Sequence, residues 1–162
     1  LDYYKRIAEK FNSIGAEAKK EGIRFGYHNH GYGLNNVNGV MPLDIIFDQT
    51  DPSLVYFEMD IYWTIAGGAD PVELFKKHKD RYKMVHIKDM KEPKRFSGDG
   101  GNSSQWIPLF PYMTSCGEGI LDLPTILTTA KQNGVEHFFV EQDTVQSPEI
   151  ALKKSIDYLK SL

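Results

Sequence analysis

Four short stretches of the sequence each carry two chemically capable side chains two residues apart. They are His28 and His30 in YHNH, Glu58 and Asp60 in FEMD, His86 and Lys88 in HIKD, and Glu141 and Asp143 in VEQD. A spacing of two puts side chains on one face of an extended strand, so each stretch aims its pair in one direction. Imidazole and carboxylate together suit a divalent cation, namely zinc, manganese, cobalt or magnesium. A carboxylate cluster buried without positive charge suffers repulsion and desolvation, so a metal or Lys88 has to accompany it. Each residue also has a plainer use, because His and Asp at strand ends cap the turns that follow. Four such pairs in one chain are harder to account for that way.

For the pairs to converge, they must end neighbouring parallel strands, and the surrounding sequence supplies such strands. Ile7, Phe11, Ile14 and Ala18 recur at helical spacing, and Gly22 stops that helix after a basic last turn. IRFGYHNH reads as the first strand, and a Gly- and Asn-rich stretch then leads to Pro42 and a short helix through about Asp48. LVYFEMD is the second strand, and AGGAD turns the chain. Asp70, Pro71 and Glu73 form a capping box, which opens a helix expected to face the core with Val72 and Phe75. YKMVHIKD is the third strand.

Residues 90–118 mix Pro, Gly and the aromatics Phe96, Trp106, Phe110 and Tyr112 without a period. They are read either as a lid or as a packed surface excursion. Asp122 and Pro124 open a helix ending at Gly134, VEHFFVEQD is the fourth strand, and Ser147 and Pro148 start a last helix with Leu152, Ile156 and Leu159 as its buried stripe. The alternation predicts an α/β fold: a parallel sheet with about four βα units, either open or part of a (β/α) barrel.

The chain has 162 residues, 41% apolar and 25% charged, which fits one globular domain over 1–162. Nineteen basic residues against 22 acidic ones give a net charge of −3, so binding to a nucleic-acid backbone is disfavoured. No stretch is long and apolar enough for a membrane span, and the first residues lack a secretory leader. A soluble protein is expected, in the cytoplasm, or in the periplasm if a signal precedes this segment. The single Cys116 excludes an internal disulfide and reads as a small buried residue. His78 and His137 read as solvated or helix-terminal, and Gly117-Glu118-Gly119 as a turn that could carry Glu118 into the mouth of the site.

GIRFGYHNH, VYFEMDIYW followed by GGADPVELF, RYKMVHIKDM, CGEGILDLPTIL and GVEHFFVEQD resemble the sugar phosphate isomerase/epimerase family, of the xylose isomerase-like TIM barrel superfamily. The resemblance runs in order over nearly the whole chain. It implies a (β/α)8 barrel with one divalent metal, and carries its ligand positions onto Asp60, His86, Glu141 and, within YHNH, His28, with His30 as competitor. Related sequences often have Glu three residues after the second His, where this chain has Gly33. Only four strands are present, so the chain resembles a carboxyl-terminal half of the barrel. That implies either a missing amino-terminal half or self-association of two halves.

The resemblance further implies a metal-dependent isomerase or epimerase of a sugar or keto sugar, working through an enediolate. Glu141 is then the base, with His28 or Lys88 on the opposite face or polarising oxygen, and His30, Glu58, Trp63, Asp89 and Trp106 contact the carbohydrate. A lyase or dehydratase of the same superfamily and a catalytically silent sugar-binding domain are the alternatives. The superfamily's DNA-repair endonucleases, with more His ligands and a basic groove, are a poor match for this acidic chain.

Overall fold

Asp-Pro and Ser-Pro pairs punctuate the chain where helices begin, because proline at the first helical turn gives up an amide that has no partner there. The computed structural model describes residues 1–162. It runs α1 (Asp2–Lys20), β1 (Phe25–Asn29), α2 (Pro42–Gln49), β2 (Val55–Asp60), α3 (Ile61–Ala66), α4 (Pro71–Lys77) and β3 (Tyr82–Ile87). There follow β4 (Asp89–Met90), two 3-10 turns (Ser103–Gln105 and Ile107–Tyr112), β5 (Met113–Thr114), α5 (Leu123–Gln132), β6 (His137–Val140) and α6 (Pro148–Leu159).

β1, β2, β3 and β6 form one parallel sheet in that order, which leaves β1 and β6 as its edges. The register pairs His28 with Glu58 and Asp60 with His86, so the polar strand ends lie side by side. Alternation along β2 turns Val55, Phe57 and Met59 into a core shared with Leu43, Ile46 and Phe47 of α2, Phe75 of α4 and Leu123 and Ile126 of α5. Burying each of the larger side chains contributes roughly 1.5–3 kcal/mol. Tyr56 and Glu58 point the other way and are only half-buried. Helices thus cover one face of the sheet and leave the other to the site residues, as in a barrel and unlike an open sheet wrapped on both sides.

Several expectations need correction. The residues after β2 form α3 before the glycine turn, with Asp60 as N-cap. α4 faces the core with Phe75 and the half-buried Val72 as expected, and Leu74 is buried with them. Of the two readings of His78 the helix-terminal one holds: it ends α4, 8% exposed, with Nε2 2.9 Å from Asp44 Oδ1 and its ring stacked on Phe47. The expected stripe of α6 is largely exposed, Leu152 at 39% and Ile156 at 42%, while Ala151 and Ser155 are buried. α6 packs beside the edge strand β6, with Tyr158 and Leu159 partly buried against the core.

Residues 90–118 are a packed excursion. Met90, Leu109 and Met113 join Tyr62, Trp63 and Ala66 in a second apolar cluster, β4 pairs antiparallel with β5, and Phe96 N–H donates to the Ala66 carbonyl.

Candidate metal centre at the strand ends

Each strand delivers its last inward side chains to one place. His28 leaves β1, Glu58 and Asp60 leave β2, His86 leaves β3 with Lys88 just beyond it, and Glu141 follows β6, where its amide continues the pairing by donating to the Ile87 carbonyl at 3.2 Å. His28 Nδ1 is 3.0 Å from Glu58 Oε2, and His86 Nε2 is 3.4 Å from Glu58 Oε1. His86 Nδ1 is 2.6 Å from Glu141 Oε2 and 3.9 Å from Asp60 Oδ2. The two imidazole rings are 4.4 Å apart.

Lys88 is 1% exposed, and its Nζ lies 3.0 Å from Asp60 Oδ2, 2.9 Å from Glu141 Oε2 and 2.8 Å from Asp143 Oδ2. Asp143 was legible only as the partner of Glu141 in an alternating strand, and it enters the cluster through this lysine.

Burial, reinforced by the charges of His86, His30 and Lys88, holds the His28 imidazole down to about 4, so it is neutral at pH 7. Burial likewise lowers His30. Burial also pushes the Asp60 carboxyl up to about 6, against the pull of Lys88 and the Trp63 amide. For Lys88, burial alone favours the neutral amine, but Asp60, Asp143 and Glu141 overturn this and hold the ammonium above its ordinary value. Burial pushes Glu141 upward too, and Lys88 and His86 outweigh it, so this carboxylate stays below its usual range.

The arrangement has lone pairs to spare. Both nitrogens of His28, Asp60 Oδ2, His86 Nδ1 and Glu141 Oε2 are buried without a hydrogen-bond partner, although several lie within ion-pairing distance of one another. Buried polar atoms are ordinarily hydrogen-bonded. His28, Asp60 and His86 each offer one donor atom, all within 4.8 Å of one another. Lys88 offsets one of the three carboxylates it touches, which leaves an excess of negative charge suited to a divalent cation. Two nitrogen donors and a carboxylate oxygen, with Glu141 alongside, fit zinc, manganese or cobalt.

Other expected site residues stand elsewhere. His30 lies beyond the end of β1, its ring 4.7 Å from His28 and stacked on Trp63 at 5.8 Å. Trp63 is 1% exposed, walled by Phe96, Trp106 and Phe110, and so lies beneath the mouth and not open to it. Trp106 is half-buried against it.

Asp89 turns away from the centre. Its carboxylate accepts the amides of Met90, Gly117, Gly119 and Leu121 at 2.8, 2.9, 3.1 and 3.2 Å. A Cβ at Gly119 would strike that carboxylate, so the turn closes only with glycine there. Glu118 is exposed and pairs with Lys154 at 2.6 Å. Gly33 has φ +72° and presses on the Tyr4 ring, so an L side chain at that position meets both backbone strain and a neighbour.

The family model for xylose isomerase-like TIM barrels matches residues 2–162. The chain belongs to that family. Among curated relatives, an inosose dehydratase of Clostridium perfringens is 31% identical over 150 residues, covering 91% of this chain and 49% of the relative. Among solved structures, a sugar phosphate isomerase/epimerase from Parabacteroides distasonis superposes with TM-score 0.75 at 32% identity, covering 99% of this chain and 54% of that one. IolI with a bound zinc atom shares the fold at TM-score 0.70 and 17% identity, covering 95% of this chain and 54% of its own. The chain therefore spans about half the length of the family members it matches. No helix is long and apolar enough to cross a membrane.

Proposed function

We propose that the strand-end centre serves a metal-dependent isomerase or epimerase that moves a proton beside the carbonyl of a polyhydroxylated keto sugar. The observation that carries this reading is the convergence of His28, Asp60 and His86 with unpartnered lone pairs. With Glu141 they would hold the ion, which when bound supplies Lewis acidity that acidifies the C–H next to the carbonyl.

Glu141, kept ionised by Lys88 and His86, is placed to accept that proton, while the C–H electrons pass to the carbonyl oxygen as an enediolate. Returning the proton to the neighbouring carbon gives isomerisation, and returning it to the opposite face gives epimerisation. Neutral His28 would give its lone pair to the ion and keep its N–H for a substrate oxygen, and the Lys88 ammonium stabilises negative charge next to Glu141. Trp63, Trp106 and the excursion keep water from one side of the mouth.

A second reading is dehydration, in which the same enediolate expels a neighbouring hydroxyl group as water. It is favoured by the dehydratase names of curated relatives at 27–31% identity. Incubation of the metal-loaded protein with keto sugars in deuterated water separates the two. Deuterium at the α-carbon with no loss of water supports isomerisation or epimerisation, and an unsaturated or deoxy product supports dehydration. Elemental analysis after reloading with manganese, cobalt or zinc should give about one equivalent, lost in Asp60→Asn and His86→Ala. Equal metal content in the parent and both variants overturns the assignment.

A further inference from the structure

Beside the metal centre lies a second concavity that the reaction does not use. It measures about 480 Å3 and opens between the excursion (Phe110, Met113, Thr114, Ser115), the segment after β6 and the first turns of α6. That volume falls in the range of small-ligand sites. The residues that line it run from Lys91, just past β4, to Lys154 in α6.

We propose that this cleft is a subsite for an uncharged sugar, which receives the non-reacting end of a substrate longer than one ring. The orientation of that substrate rests on the strand-end centre being the reacting end. Asp143 lines the cleft, and its Oδ2 is 2.8 Å from Lys88 Nζ, which touches Asp60 Oδ2 at 3.0 Å. One lysine thus separates the two sites, and a single molecule can reach both.

The lining matches a sugar more closely than an anion. Ser115 Oγ donates to Gln142 Oε1 at 3.3 Å and so fixes that side chain, whose amide nitrogen donates to no protein atom. Ser147 begins α6 without capping it through its side chain, which leaves its hydroxyl free at the rim. Phe110, Met113 and Ile150 add apolar surface for the C–H faces of a ring. The charged lining residues balance, Lys91 and Lys154 against Glu118 and Asp143; Lys154 pairs with Glu118 at 2.6 Å, and Lys91 Nζ is held by the Pro111 carbonyl at 2.7 Å. A phosphate would find no surplus of unpaired cations here. The wall is also preformed, because Asp89 clamps the amides of Gly117, Gly119 and Leu121.

Calorimetric titration of the metal-loaded protein with maltose, glucose and glucose 6-phosphate tests the proposal. Maltose is expected to bind about tenfold tighter than glucose, and Gln142→Leu and Ser147→Trp are each expected to remove that advantage while leaving glucose affinity and metal content unchanged. Maltose no tighter than glucose, or an advantage that survives both substitutions, overturns it. Tighter binding of glucose 6-phosphate than of maltose, lost in the same variants, overturns it as well and makes the cleft an anion site. The two readings fail separately. A cleft that binds maltose in protein holding no metal leaves the subsite standing without the proposed reaction. A bound metal without the maltose advantage leaves the reaction standing without the subsite.

Discussion

Asp60, which ends β2, and Asp89, which starts β4 just past the end of β3, are both buried aspartates, 0% and 1% exposed, and they do opposite things. The Asp89 oxygens receive four backbone amides and tie the start of the excursion to its end. Asp60 gives one oxygen to the Trp63 amide at 3.0 Å, and the other has no hydrogen bond although Lys88 stands 3.0 Å away. Burial alone therefore does not distinguish an architectural carboxylate from one held for a ligand. The number of lone pairs left unsatisfied does.

The same contrast separates two histidines. His78 is hydrogen-bonded to Asp44 and stacked on Phe47, whereas neither nitrogen of His28 has a partner.

Replacing the architectural carboxylate should have the largest effect on stability. Asp89→Ala takes the acceptor from four backbone amides, that of Met90 buried and those of Gly117, Gly119 and Leu121 partly so, and is expected to cost about 3 kcal/mol, read as a fall in the thermal midpoint and faster hydrogen exchange across residues 113–121. A loss under about 1 kcal/mol would erase the distinction. Asp60→Asn should show the reverse pattern, with metal affinity down about a hundredfold or more and the metal-free midpoint little changed. Comparable destabilisation by both substitutions would mean that Asp60, too, is chiefly architectural.

The smallest effect concerns the satisfied imidazole. Burial lowers the pKa of His78 despite the pull of Asp44, so the folded state binds its proton less readily than the unfolded chain does. Its contribution is fully present above about pH 6.5, the ordinary histidine value, and is lost as pH falls from there through the depressed folded value. His78→Gln should therefore flatten the decline in stability between pH 7 and pH 5. An unchanged slope in the variant would place that pH dependence elsewhere.

Much of this was readable before any coordinates. The i, i+2 pairs at His28, Glu58, Asp60, His86 and Glu141 announce one face and one end of a sheet, because strand alternation is a local rule. The Asp-Pro and Ser-Pro starts of α4 and α6 were visible for the same reason. Asp89 was misread because the amides that claim it lie near residues 117–121, a contact that no local pattern encodes. That Trp63 is covered and not a free carbohydrate contact is not legible locally, because the covering Phe96, Trp106 and Phe110 come from a stretch without a period. The α6 stripe was a correct reading of amphipathicity, but a helix buries its stripe only where a neighbour exists to receive it.

The sheet order follows the order of the strands along the chain, each laid beside the one before. The candidate metal donors follow the same order along the chain: His28 first, then Asp60 of β2, then His86 with Lys88 just beyond it, and Glu141 last. Asp60 thus meets the Lys88 ammonium, 3.0 Å from its Oδ2, just past the end of the neighbouring strand. Lys88 in effect acts as an internal placeholder, letting the pocket close around its own positive charge before any external ion arrives.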